Sequence, residues 1–211
     1  MSVLRTFAVA ATAVVVTVPI AGATAAQAGS THQASAHHAT ADQRGATFIA
    51  LTGGKTTLTL DKNTAAALTG AGVAVSPVSE AKAGAAGILF PIQGGLINAK
   101  TLAGTITHSG GLKFTAGGKS LTIRDFTVST SKKTLTAWVD EVGARIAVLN
   151  VKLGKAKVKL TAKHLTISRI QTTLTKGAAD ALNGYFATSL FAGGLPVGKV
   201  VVSASSKVLH R

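Results

Sequence analysis

The chain has 211 residues, with 22 Lys plus Arg against seven Asp plus Glu, and no cysteine. The missing thiols exclude disulfides, thiol nucleophiles and thiolate metal sites. The formal charge of +15 either draws anionic partners or keeps the protein soluble.

Residues 1–28 predict a cleaved export signal. Met1 to Arg5 carries one positive charge, and an apolar run with Phe7, Val14, Val15, Val16, Val18 and Ile20 follows. Ala26-Gln27-Ala28 fits the small-x-small pattern of a cleavage site, so the mature chain would start at Gly29 and be secreted or wall-associated. The run is short for a membrane span and contains Pro19 and Gly22. All seven acidic residues and every basic residue except Arg5 lie beyond it.

Residues 29–46 are small and polar without apolar period and predict a disordered linker. His32, His37 and His38 lie in it, but no carboxylate or cysteine adjoins them, so no metal site is expected.

Residues 47–206 predict one strand-rich domain. Thr56 to Leu60 alternates Thr with Leu, the period of a half-buried strand. Val73–Val78 and Ile88–Ile92 follow, each holding a Pro suited to a strand end or edge. Thr105–Phe114 and Lys119–Ser129 flank Ala116-Gly117-Gly118, a hairpin turn. Leu135–Val139, Ala144–Leu153, Lys155–Ile170 and Val197–Ser203 read as further strands. Apolar parity switches at Arg124-Asp125 and at Gly154, which predicts a bulge or turn at each. Asp61 caps a short helix reaching Gly70. Thr175 starts a second helix carrying Ala178, Leu182, Phe186 and Leu190 on one face. Many short strands with two short helices predict a mainly β fold, an antiparallel β-sandwich, with a closed barrel as the alternative.

No catalytic constellation is visible. The adjacent acids Asp140 and Glu141 would point to opposite faces of a strand. Gly-x-Ser-x-Gly and phosphate-cradling glycine motifs are absent from the sequence. Within the predicted fold, His108 shares a face with Ile106, Leu112 and Phe114, and the chain's single tyrosine, Tyr185, lies on the second helix beside Phe186. Histidine and tyrosine both ligate haem iron, and both also serve as ordinary core residues with backbone partners. Lys155, Lys157, Lys159 and Lys163 form a row on one face of a strand. That row suits an anionic wall polymer or membrane surface, or a solvated edge that resists aggregation. Specific nucleic-acid binding is not expected, because no aromatic interleaves with these lysines.

Gly104 to Phe114, then Leu121 to Val128, then Thr134 to Ala137 resemble the HtaA (haem-transport-associated) domain of secreted and surface proteins of actinobacteria. The family's His-x-Gly-x-Leu stands here as His108-Ser-Gly-Gly-Leu112, its bulge aspartate as Asp125, and its Leu-Thr-Ala strand as Leu135 to Ala137. Leu174-Thr175 leading to Tyr185 resembles the closing segment. The resemblance implies a β-sandwich with small helices and a haem pocket with His108 in it. One departure matters: the family's haem-ligating tyrosine sits in an aromatic N-terminal motif, and Phe48 to Ala71 holds neither Trp nor Tyr. The expectation is a secreted, non-enzymatic binding protein for haem or another apolar ligand. The alternative is an envelope protein that holds anionic polymers or lipids through its lysine strand.

Overall fold

The computed structural model describes residues 47–210. The export signal expected over 1–28 and the linker expected over 29–46 lie outside the described residues. Strand β1 (Thr47–Leu60) runs into helix α1 (Lys62–Gly70), then β2 (Ala74–Val78), β3 (Lys82–Gly84) and β4 (Gly87–Asn98). Next come β5 (Gly104–His108), β6 (Gly111–Ala116), β7 (Lys119–Ser129), β8 (Thr134–Val139), β9 (Ala144–Lys152) and β10 (Lys157–Leu160). Finally β11 (His164–Leu174), helix α2 (Lys176–Phe186) and β12 (Pro196–His210) follow.

The domain is mainly antiparallel β with two short helices, as the alternation implies. The sheet does not divide into the two layers of a sandwich. Neighbouring strands run β7–β5–β4–β1–β12–β11–β9–β8, and β8 pairs again with β7, which closes a ring of eight strands. Bulges make closure possible, because each bends its strand and increases local twist. The register shifts at Leu51/Gly53 in β1, at Ile167/Ile170 in β11 and at Arg124/Thr127 in β7. At the first of these, Gly54 has φ +118, and a Cβ there would lie 2.3 Å from the Ser203 carbonyl oxygen. Only glycine lets β1 and β12 meet that closely.

The bulge at Asp125 also explains a break that alternation did not show. The run from Thr105 to Phe114 is two strands, β5 and β6, separated at Ser109-Gly110. Both use the same edge of β7: β5 pairs with Thr127 to Ser129, and β6 pairs with Lys119 to Arg124. The Gly110 carbonyl accepts from the Asp125 amide at 3.1 Å, so kink and bulge are matched. Gly110 has φ +78, and a Cβ would sit 2.4 Å from the Ala81 nitrogen. Asp125 itself has φ 54, and Arg124 bridges its carboxylate and that of Asp140, each at 2.7 Å. β2 pairs with β6 and extends the wall at that end.

The helices start where the sequence places them. The Asp61 carboxylate accepts from the Asn63 and Thr64 amides, and the Thr175 hydroxyl accepts from the Ala178 amide. The second helix is shorter than its apolar spacing suggests. It stops at Phe186, where Ala187 turns left-handed at φ 51, and Leu190 packs from the loop beyond. Both helices pack at the end of the barrel where β1 and β11 finish. Leu68, Ala178 and Ala179 join Leu58, Phe90, Phe126 and Val148 in one core cluster there. A second cluster, around Ile49, Ile97, Ile106, Leu165 and Ile167, fills the opposite end.

Candidate functional site

The side chains pointing into a small barrel either fill it or enclose a space. Here they enclose a cavity of about 220 Å³. Its wall runs from Tyr185, Leu182 and Val142 at the helix end to Leu153, Ile167 and Val202 at the other. The polar groups on the wall are Thr56, Thr64, His108, Thr130, Thr172 and Tyr185, with no carboxylate, ammonium or guanidinium among them. Val142 lines the cavity and is 60% exposed, which marks a mouth at the turn between β8 and β9.

His108 sits at the waist of the barrel, between the two clusters, and is 5% exposed. Its Nδ1 lies 3.3 Å from the Phe126 carbonyl oxygen and its Nε2 lies 2.7 Å from the Thr56 hydroxyl. A carbonyl only accepts, so Nδ1 carries the proton and Nε2 accepts from Thr56. The imidazole thus ties β7 to β1 across the interior. Burial lowers its pKa to about 4 against the opposing pull of the Phe126 carbonyl, so it is neutral at pH 7. The rings of Phe90 and Phe126 meet edge to face beside it at 5.1 Å.

Tyr185 reaches the same cavity from α2, but its hydroxyl donates to the Ser120 carbonyl at 2.5 Å. The Lys119 ammonium donates to the Tyr185 carbonyl and lies 5.8 Å from the centre of its ring. The structure therefore brings both predicted haem-site residues to one space and gives each its own protein partners. Thr56 was missed as a member of this group. Its parity with Leu58 already placed it on the inner face, but nothing in the sequence pointed to His108 as its partner.

The predicted lysine row divides. Lys157 and Lys159 lie on the outer face of β10, Lys155 lies in the loop before it, and Lys163 lies in the turn after it. Lys155–Ile170 is a hairpin rather than one strand. The Thr161 hydroxyl accepts from the His164 amide, and the Thr161 amide donates to the His164 carbonyl, closing a turn without Gly or Pro. The inner face of β10 is not buried either: Val158 is 43% exposed and Leu160 is 40% exposed. His164 is exposed and bonds the Ser203 hydroxyl at 3.0 Å.

The profile of the family described as Htaa matches residues 64–191. The chain belongs to the HtaA family. Among solved structures, the C-terminal domain of HtaA from Corynebacterium glutamicum is 16% identical, with a TM-score of 0.56 over 75% of this chain and 99% of that one. That likeness shows the shared fold. The haem-binding protein HtaB from the same organism is 11% identical, with a TM-score of 0.47 over 78% of this chain and 98% of that one. No curated protein matches the chain.

Family membership makes haem the first group to compare with the cavity. The apolar wall suits a porphyrin face. Iron ligation fits less well. Both imidazole nitrogens of His108 and the Tyr185 hydroxyl are already engaged, and freeing a buried partner costs roughly 1–3 kcal/mol. The cavity also lies between the ~150 Å³ that holds one benzene and the ~300 Å³ lower end of common ligand pockets. A slender apolar molecule fits the space as it stands, and a macrocycle requires the walls to part.

Proposed function

We propose that this protein is a secreted, non-enzymatic binding protein that takes an apolar ligand, haem or another, into the barrel interior. The observation that carries the reading is the cavity: a space of about 220 Å³ whose wall is apolar apart from five threonine and tyrosine hydroxyls and one neutral imidazole. Membership of the HtaA family supports haem as the first ligand to try. The engaged nitrogens of His108 favour a ligand held by its apolar surface, without a bond from protein to iron. The cavity wall holds no carboxylate, ammonium or guanidinium. Its one hydroxyl–imidazole pair, Thr56 with His108, has a base whose pKa burial lowers to about 4, too weak to activate the hydroxyl, which supports binding over catalysis. Secretion rests on the amino-terminal segment alone.

Haemin and metal-free protoporphyrin are the paired probes. The reading expects saturable one-to-one binding of both, with affinities within a few-fold of each other. Binding of haemin alone, abolished in His108→Ala, would instead make His108 an iron ligand. Failure of both porphyrins and of a long-chain fatty acid to bind would remove the cavity as a site.

A further inference from the structure

The strand register assembles a basic face that the sequence shows only in part. On the outside of the barrel, Lys159 of β10 pairs with Thr166, Thr166 with Ser203, and Ser203 with Lys55 of β1. A second row runs Lys152 of β9, Gln171, Lys199 of β12 and Thr59. Lys157 lies between the rows. All five lysines are exposed, and none forms an ion pair among the described residues. The strands β1, β9, β10, β11 and β12 contain no acidic residue. The rows are four residues apart along β12, or ~13 Å, and strands lie ~4.8 Å apart, so Lys152 and Lys199 face each other across ~10 Å.

That pair flanks a surface cleft of about 260 Å³, bordered also by Gln171, Thr173 and Asp61. The Asp61 carboxylate is turned toward the amides of α1, where it accepts from Asn63 and Thr64. The cleft therefore offers two ammonium groups, an amide and a hydroxyl to a compact anion.

We propose that this face binds a linear phosphate polymer, a polyol-phosphate chain of the cell envelope, with one phosphate seated between Lys152 and Lys199 and the strand continuing toward Lys159 and Lys55. A lipid surface fits less well. The exposed apolar residues of β10, Val158 and Leu160, are on its other side, and Val201 is the single exposed large apolar side chain between the two rows, too little to anchor in a bilayer. Among the outward residues of the two rows there is no aromatic ring to stack on a base. This site shares one wall residue, Thr172, with the cavity but lies on the outer face of the barrel, and it stands or falls without the cavity's ligand.

The test uses a poly(glycerol phosphate) chain titrated into the protein at rising salt, with polyglutamate and phosphatidylglycerol vesicles alongside. The expected result is saturable binding of the polyphosphate that weakens steeply with salt. Lys152→Gln with Lys199→Gln should lower the affinity at least about tenfold, more than a phosphate's share of general charge. Lys100→Gln with Lys113→Gln, an equal charge loss at the exposed β4–β5 turn and on β6, away from β9–β12, should change it less than about twofold. Haemin binding should be the same in both double variants. Equal losses in the two would reduce the effect to net charge and overturn the proposal. So would absence of binding, equal affinity for polyglutamate, or preference for the vesicles.

Discussion

Acidification should destabilise the barrel through His108, and the size of the effect follows from its surroundings. The imidazole is 5% exposed, and burial holds its pKa at about 4 instead of 6.5. Protonation would leave Nε2 donating toward the Thr56 hydroxyl and place a charge in a wall without a carboxylate. In the unfolded chain the same histidine titrates at its ordinary value. Between 6.5 and about 4 the unfolded state therefore binds a proton that the folded state refuses, and stability falls as pH falls through that window. At ~1.4 kcal/mol per pH unit the whole gap corresponds to about 3 kcal/mol. Most of this should be lost by about pH 4.5 and none of it above about pH 7.5. Urea denaturation followed by the single Trp138 gives the measurement, and His108→Gln gives the reference. Carboxylates and exposed histidines titrate alike in both proteins, so the difference isolates His108. The wild type should lose roughly 2–3 kcal/mol more than the variant between those pH values. Parallel pH profiles would refute the argument that His108 is buried and neutral.

The remaining predictions concern backbone and site. Gly110→Ala should destabilise by at least about 2 kcal/mol in the same urea assay, because it adds a Cβ against the Ala81 backbone at a left-handed residue; a near-neutral effect would show that the β5–β6 kink can relax. Asp125→Val should cost more than about 1 kcal/mol, whereas Asp125→Gly should stay within about 0.5 kcal/mol, since φ 54 penalises a branched side chain and its exposed ion pair contributes little. Equal costs would assign the role of Asp125 to its charge rather than its backbone.

Much of this architecture was legible in the sequence, for reasons that are local. Asp61 and Thr175 announce the helix starts because their short oxygen-bearing side chains satisfy amides that nothing else can reach. The Gly117-Gly118 hairpin shows itself because both residues have positive φ. The parity switch at Arg124-Asp125 marks a real bulge because a slip of one residue exchanges the faces of a strand. The failures come where a tertiary partner replaces a local signal. The turn at Thr161 is closed by a hydroxyl instead of a glycine, so Lys163 reads as part of a continuous strand. Helix α2 ends at an alanine, while Leu190 keeps its helical spacing by chance of packing. Alternation describes sandwich and barrel equally, and the pairing of β7 with β8 decides between them.

The site was legible to the same depth. His108 was visible through its apolar face and its resemblance to the HtaA pocket motif. Its chemistry was not, because the Thr56 hydroxyl and the Phe126 carbonyl come from strands distant in sequence. Likewise four lysines suggested a row on one strand, whereas the pairing of β9, β11 and β12 sets Lys152 opposite Lys199.

The central claim is that the barrel interior is the binding site, and filling it is the direct test. Val128 lines the cavity and is half-buried, so Val128→Trp places an indole in the space. Haemin should bind the wild type with a saturable change in its Soret band and should not bind the variant, provided that the variant keeps the wild-type urea midpoint to within its cavity-filling gain. Saturable binding that is unchanged in Val128→Trp would place the ligand outside the barrel and contradict the account.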